Sequence, residues 1–406
     1  MGPSFFETPM AVLGVLTALL AGLFVFSRMP VGKRIFRVVP LLLCAYFLPT
    51  LLSNTGVIPM DSNFALYGFV KTWLLPASLI LLTLSVDLKA ILGLGKNAVL
   101  LFLAGTVSIV IGGPVALFLC QGLLPPELGD QAWKGLAALA GSWIGGTANM
   151  VAIGESVGTT DSTMSVMVVV DVAIANIWMA CLLMFAGREK AMDAKLGADR
   201  QSLDRVRKAA EDYQASVSRP TDLPSLLLLF AIAFGGAGLA HWGASFLPDI
   251  GDVVRRFTWV VVLVTSLGLG LSFTRLRLLE GVGASALGSV MLYLLVTTIG
   301  AKAEFSKVLE PQNMGLVAVG AVWMIFHALC LLSFRRYLKA PIFFVAVGSK
   351  ANVGGAASAP VVASAFHPAL APVGVLLAVG GYVLGTFGGV LCAALLAWVS
   401  GSALSS

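Results

Sequence analysis

The chain has 406 residues, of which 58% are hydrophobic and 11% charged, and its mean hydropathy is +0.95. A soluble surface of this size needs about a quarter of its residues charged, so the composition excludes a soluble globular protein and leaves a polytopic membrane protein. The net charge of +6 does not mark a nucleic-acid binder, because the basic residues form short clusters between apolar runs and lack interleaved aromatics.

The first apolar run, Met10 to Phe26, has no basic segment before it and no small-residue cleavage site after it. It reads as a retained helix rather than a removed signal peptide. At about 20 apolar residues per crossing, ten spans follow: 10–27, 35–53, 66–85, 97–120, 160–186, 223–246, 255–273, 283–301, 312–334 and 370–399. Two further segments, 131–156 and 341–366, are rich in glycine and small polar residues and fit either a broken crossing or a hairpin that returns to its side of entry. Cys44, Cys120, Cys181, Cys330 and Cys392 lie in apolar surroundings with no CxxC spacing, and read as packing residues rather than disulfides or metal ligands.

Loop charge arbitrates between the two forms. If both segments return, one side of the membrane holds 19 basic residues, including eight between Arg188 and Arg219, and the other holds six. If both cross, the count becomes ten against 15. Cytoplasmic loops carry the excess of Lys and Arg, so return is preferred, and the preference rests on the 187–222 linker.

The fold expected is therefore an all-α polytopic membrane protein of two inverted repeats, each of five transmembrane helices plus one re-entrant hairpin. Residues 1–186 form the first repeat and 223–406 the second, with 187–222 a charged cytoplasmic linker bearing Leu196, Leu203, Val206, Ala210 and Tyr213 at helical spacing. Thr83 to Leu88 after the third span resembles Thr298 to Phe305 after the eighth, with Asp87 and Glu304 each capping the loop before the next helix.

The chemistry concentrates in the two hairpins. Gly145 and Gly146, with Gly354 and Gly355, let the backbone turn and let a ligand approach the main chain. The arm after each turn presents unpaired N–H groups carrying partial positive charge, which suits an anion. Ser142, Thr147 and Asn149, with Ser349, Asn352 and Ser358, add hydrogen-bonding groups. The competing reading is that the small residues serve close helix packing. Asp171 lies near the middle of the span after the first hairpin, where a carboxylate costs several kcal/mol unless it is paired, protonated or liganded. With Asn176 and freed hairpin carbonyls it would bind Na+ or carry a proton; the alternative is an aspartate that only bonds a neighbouring helix. Lys350, the basic residue of the second hairpin, would neutralise an anionic solute, pair with Asp171, or snorkel. Tyr382 and Thr386 are weaker candidates for the same cavity, His327 lacks a visible sequence partner, and Asp161 reads as a helix-start residue.

The doubled hairpins with Gly-Gly tips resemble those of bacterial sodium/glutamate symporters and the citrate-type 2-hydroxycarboxylate carriers. The form Gly146-Thr147-Ala148-Asn149-Met150 followed by Asp171, with Lys350-Ala351-Asn352-Val353-Gly354-Gly355 in the second half, is most similar to the uncharacterised YjcL-like bacterial membrane family. All three are similar to the larger superfamily of cation/proton antiporters and anion transporters. The Gly-Gly-Asn-Gly and Gly-Gly-His-Gly tips of the better-known carriers are absent here. The resemblance implies an elevator-type carrier in the bacterial inner membrane, with a dimeric scaffold and a mobile transport domain holding the hairpins.

No HExxH, GxSxG, P-loop or Rossmann fingerprint is present, so no enzyme or cofactor is expected. The leading reading is a secondary active carrier of a small organic anion or amino-acid-like solute coupled to Na+ or H+. The alternatives are a cation/proton antiporter using Asp171 and Lys350, and a passive channel.

Overall fold

The computed structural model describes residues 4–36, 41–61, 64–198, 220–251, 253–302, 314–367 and 370–401. Among them the secondary structure is helical apart from one isolated bridge between Ile250 and Val254. The long helices are α1 (Pro9–Arg28), α2 (Leu41–Asn54), α3 (Ala65–Leu84), α4 (Lys96–Cys120), α5 (Gln131–Gly145), α6 (Thr147–Val157), α7 (Asp161–Ala186), α8 (Glu189–Leu196), α9 (Leu223–Ala244), α10 (Arg256–Ser272), α11 (Ala284–Ala301), α12 (Met314–Leu338), α13 (Ile342–Asn352), α14 (Gly355–Phe366) and α15 (Ala371–Val399). Eight are long and apolar enough to cross a membrane, and α10 with the 3-10 turn Arg275–Val282, bent by 97°, makes a ninth candidate. The chain is thus a multi-pass membrane protein, with apolar helix faces in contact with the lipid bilayer. Each of the ten expected spans coincides with a helix among the described residues, the second from Leu41 and the ninth from Met314; the third and seventh stop one residue short of the expected end, at Leu84 and Ser272, and the sixth two short, at Ala244.

Local chemistry sets the helix ends. Thr8 caps α1, accepting from Ala11 N at 3.3 Å with Pro9 in the first turn, and Asp222 caps α9, accepting from Ser225 N at 2.9 Å. Thr160 caps α7 through Thr163 N at 3.3 Å. Most of the 187–222 linker, with Leu203, Val206, Ala210 and Tyr213, lies outside the described residues, as does Glu304. Asp87 caps the short helix Leu88–Gly93 as expected and also pairs with Arg277 at 2.9 Å.

The helices sort into two bundles. The first packs α1, α2 and α3 with α9, α10 and α11; the second packs α4 to α7 with α12 to α15. Each half of the chain contributes its first three helices to one bundle and the rest to the other. Polar ties between the bundles are Tyr46 to Ser165 (3.0 Å), Thr265 to Thr386 (3.0 Å), the ion pair Lys302 to Asp161 (2.7 Å) and the ion pair Lys71 to Glu155.

Both glycine-rich segments fold back on themselves. The α5–α6 pair closes where it opened: Gln131 Nε2 donates to Gly158 O at 3.3 Å, its Oε1 accepts from Thr160 N at 2.8 Å, and Thr159 Oγ1 donates to Lys134 O at 3.1 Å. The α13–α14 pair closes through the Phe343 and Phe366 rings, 5.4 Å apart and edge-to-face. Each is a helical hairpin, within a residue of the expected bounds.

Candidate functional site

The hairpins meet at their tips. Gly146 breaks the first with φ +78°, and Gly354 and Gly355 break the second with φ +119° and +59°, values that a side chain strongly disfavours. A Cβ placed on Gly355 would lie 3.7 Å from Gly146 Cα, so the two turns face each other with about a methyl group's room between them. Neither α6 nor α14 has a side-chain cap at its start.

Asp171 on α7 faces this junction and is 9% exposed. Its Oδ2 accepts from Ser142 Oγ at 2.7 Å and its Oδ1 from Trp143 Nε1 at 2.9 Å, both on α5. Two donors on two different oxygens is the pattern of an acceptor-only carboxylate, and each oxygen keeps a lone pair. Beside it is a cavity of about 10 Å³, the room of about one water, lined by Asp171, Thr147 and Tyr46 and otherwise by apolar side chains from Met150, Val151, Met164, Val168, Val296 and Ile299. Ser142, Gly146, Thr147 and Asp171 are therefore brought together, and Tyr46 and Ile299 from the other bundle close over them.

Lys350 is 2% exposed, and its ammonium donates to the Ala175 carbonyl at 3.0 Å. Ala175 lies one helical turn beyond Asp171 on the same face of α7. Of the options read for Lys350, a direct ion pair with Asp171 is not formed in this structure. On its other side the ammonium packs against Gly354, where even a Cβ would clash with Ser358 Oγ and come 3.0 Å from Nζ. That hydroxyl is buried with no hydrogen-bond partner.

Five expected site residues have other duties. Asn176 is exposed and donates to its own helix at Val172 O (2.7 Å), because five residues place it about 140° around the helix from Asp171. Asn149 is fully buried: Nδ2 donates to Gly145 O (3.1 Å) and Tyr382 O (3.0 Å), while Oδ1 accepts from Thr386 Oγ1 (2.8 Å). Asn352 repeats that chemistry. Its Nδ2 donates to Gly348 O (2.9 Å) and Phe102 O (3.0 Å), and its Oδ1 accepts from Thr106 Oγ1 (2.8 Å). Both amides bolt a hairpin to a neighbouring helix with both N–H bonds spent, and Thr386 and the Tyr382 carbonyl belong to the first bolt. Gly145 serves close packing: a Cβ there would meet Asn149 Nδ2, Gly381 O at 2.6 Å and Gly385 Cα at 2.8 Å. Because removal of a bonding partner strands buried groups, Asn149→Ala and Asn352→Ala are each expected to cost about 1–3 kcal/mol, read as a fall in the unfolding midpoint of the detergent-solubilised protein. A loss indistinguishable from zero would show that the amides are not structural.

Ser349 is fully buried behind the second tip, in a chain of hydrogen bonds that the sequence did not reveal. It accepts from Trp178 Nε1 (2.7 Å) and bonds His327 Nε2 (2.8 Å), and His327 Nδ1 bonds Ser108 Oγ (2.7 Å). Ser108 donates to Gly105 O (2.7 Å), so its oxygen accepts from His327 Nδ1–H, and Nε2 accepts from Ser349. This assigns a neutral imidazole with both nitrogens satisfied. Asp161 sits in the first turn of α7, as expected of a helix-start residue, and its ion pair with Lys302 was not foreseen. All five cysteines are free.

The chain matches no curated protein. A family model does match, over residues 14–399, with the description "protein of unknown function (DUF819)". Since that match spans both bundles and both hairpins, the chain belongs to the DUF819 family of polytopic membrane proteins.

Proposed function

We propose that this protein is a secondary active, elevator-type carrier of a small organic anion or amino-acid-like solute, coupled to Na+ or H+ and built from two inverted repeats. The observation that carries the reading is the close approach of the tips of two broken helical hairpins, one from each half, beside a buried carboxylate and a buried ammonium. Irregular backbone at membrane depth is tolerated where it is buried in protein or lines a cavity, and opposed broken elements are where carriers hold solute and ion.

Three further features support it. Contacts at helix ends join residues that the inverted topology puts on one side: Lys71 with Glu155, Lys302 with Asp161, and His241 with the Thr72 carbonyl. On the opposite side stand Arg277 with Asp87, Arg335 with Asp193, and Thr221 with the Val282 carbonyl. The second set lies on the side with the basic excess, which is the cytoplasmic one. The three-helix contribution of each half to one bundle matches a scaffold, and the hairpin bundle, tied to it by a few polar contacts, matches a moving domain. Asp171 beside a cavity the size of one water suits a small coupling ion or a proton, with Thr147 as a further oxygen.

Uptake into proteoliposomes tests the reading. A symporter accumulates radiolabelled organic anions or amino acids against their gradient when an inward Na+ or H+ gradient is imposed. Proton exchange for cations without any organic solute would replace it with an antiporter, and equilibration without accumulation would replace it with a channel.

A further inference from the structure

We propose that the cavity between α8 and the last turns of α12 binds the headgroup of an anionic phospholipid, with an acyl chain lying along the lipid-facing stripe of α12. The cavity measures about 530 Å³, and its polar lining is Lys195 from α8 with Ser333, Arg335 and Arg336 from α12. It lies apart from the hairpin junction, and the proposal stands or falls independently of the carrier reading.

The donors on this wall are unspent. Among the described residues, Lys195 and Arg336 are exposed and have no ion-pair or hydrogen-bond partner. Arg335 is 6% exposed, and its Nε and Nη2 are committed to Ala340 O, Met192 O and Asp193. Its Nη1 has no partner and keeps two N–H bonds. A buried guanidinium held in place by three bonds, with its remaining arm on a cavity wall, is a preorganised donor for an acceptor from outside the protein. No acidic residue lines the cavity among the described residues, and Asp193 offsets Arg335, so Lys195 and Arg336 supply the surplus positive charge. A phosphodiester presents two free oxygens that match the guanidinium fork. A zwitterionic headgroup would also bring an ammonium to a wall with no carboxylate to receive it, which selects the anionic lipid.

The helix supplies the place for the lipid's tail. Ile325, Leu329, Leu332 and Arg336 follow one another at i, i+4, i+7 and i+11 on one face of α12. Ile325 is 59% and Leu329 60% exposed, and Leu329 and Leu332 form the apolar edge of the cavity. From Ile325 to Arg336 the helix rises about 17 Å, close to the ~15 Å of one hydrocarbon leaflet. A chain lying on this stripe therefore puts its phosphate at Arg336. Tyr337, the next residue, is also exposed and has the amphipathic ring that collects at the membrane–water boundary. Loop charge puts this end of α12 on the cytoplasmic side, where basic pockets between helices meet anionic headgroups. Occupancy reaches the second hairpin through Arg335, because Asp193, its partner, accepts from Ile342 N at the start of α13.

The test is native mass spectrometry of the full-length protein in detergent, with the unfolding midpoint read in parallel. Phosphatidylglycerol and cardiolipin are the anionic probes, phosphatidylethanolamine is the zwitterionic control, and glycerol 1-phosphate and inorganic phosphate are soluble sources of the same group. One anionic lipid is expected to remain bound and to raise the midpoint, while the control and the soluble phosphates do neither at the same concentration. Lys195→Gln with Arg336→Gln is expected to weaken anionic-lipid binding about 25-fold, about fivefold for each cation. The midpoint without lipid is expected to hold in that variant, since neither side chain has a partner to lose. Lys89→Gln with Arg275→Gln removes two exposed cations that do not line the cavity, and is expected to leave lipid binding intact.

Equal retention of phosphatidylethanolamine, an equal midpoint shift with either soluble phosphate, or no retained lipid would overturn the site. An equal loss in the two double variants would overturn it as well, because it would show only general attraction between basic loops and an anionic surface. Hydrogen exchange in 341–352 is expected to slow when anionic lipid binds, and exchange that ignores bound lipid would overturn the link to the second hairpin.

Discussion

In proteoliposomes with a tenfold inward gradient of the coupling ion, the unaltered protein is expected to concentrate its solute about tenfold, and Asp171→Asn only to equalise it. A tenfold gradient stores about 1.4 kcal/mol, and one-to-one coupling passes all of it to the solute. Asparagine keeps the shape of the side chain and removes its charge. Its carbonyl oxygen still accepts from Ser142 Oγ or Trp143 Nε1, but its amide nitrogen faces the other donor, so one of the two bonds is lost. The bundle survives because the change also relieves the cost of holding a charge out of water. On the proposed carrier reading, what is lost is the carboxylate that takes the coupling cation. Accumulation ratio, rather than initial rate, is the quantity to measure: a positioning role for Asp171 lowers the rate and leaves the plateau near tenfold, whereas a coupling role brings the plateau to one. An unaltered plateau in Asp171→Asn would remove Asp171 from the ion path.

The spans and hairpins were legible in the sequence because their signals are local. Twenty apolar residues in a row need no partner to be recognised, and the Gly-Gly pairs at 145–146 and 354–355 mark breaks whatever surrounds them. The roles of the polar residues around those breaks were not local. Asn149 and Asn352 look like solute ligands until their partners on Thr386 and Thr106, more than 230 positions away in each case, are in place. The two bolts are chemically matched, yet they join α6 to α15 and α13 to α4, helices that hold different places in the two halves, so no internal repeat announces them. His327 was similarly opaque, since Ser108 and Ser349 reach it from different helices. Asn176 is different: at about 100° per residue, its position on the far side of α7 from Asp171 follows from counting alone. Ala175, an unremarked residue, is the one that the same counting puts in line with Asp171, and its carbonyl holds Lys350.

The largest loss of stability is expected from Arg335→Ala, about 3–5 kcal/mol, the usual cost of breaking a buried pair from one side. Arg335 ties three segments at the foot of the second hairpin. Its Nη2 donates to Asp193 Oδ1 at 3.0 Å and to Met192 O at 3.1 Å, and its Nε donates to Ala340 O at 3.1 Å. Asp193 in turn accepts from Ile342 N at 2.8 Å, the first amide of α13. With side-chain exposures of 8% and 2% the pair is shielded from solvent, so it differs from the exposed pairs that contribute about 0–1 kcal/mol. Truncating the arginine removes the charged partner of a buried carboxylate and leaves the Met192 and Ala340 carbonyls without its N–H groups. Arg335→Met with Asp193→Leu removes both charges and is expected to be less damaging than Arg335→Ala alone, and that ordering in chemical denaturation separates loss of the charge pair from lost packing volume. Hydrogen exchange should rise first in 341–352, because the ion pair fixes the amide end of α13 and, through it, the tip that carries Lys350. A loss below about 1 kcal/mol, in the range of an exposed pair, would mean that water reaches Asp193 and that the second hairpin is anchored elsewhere.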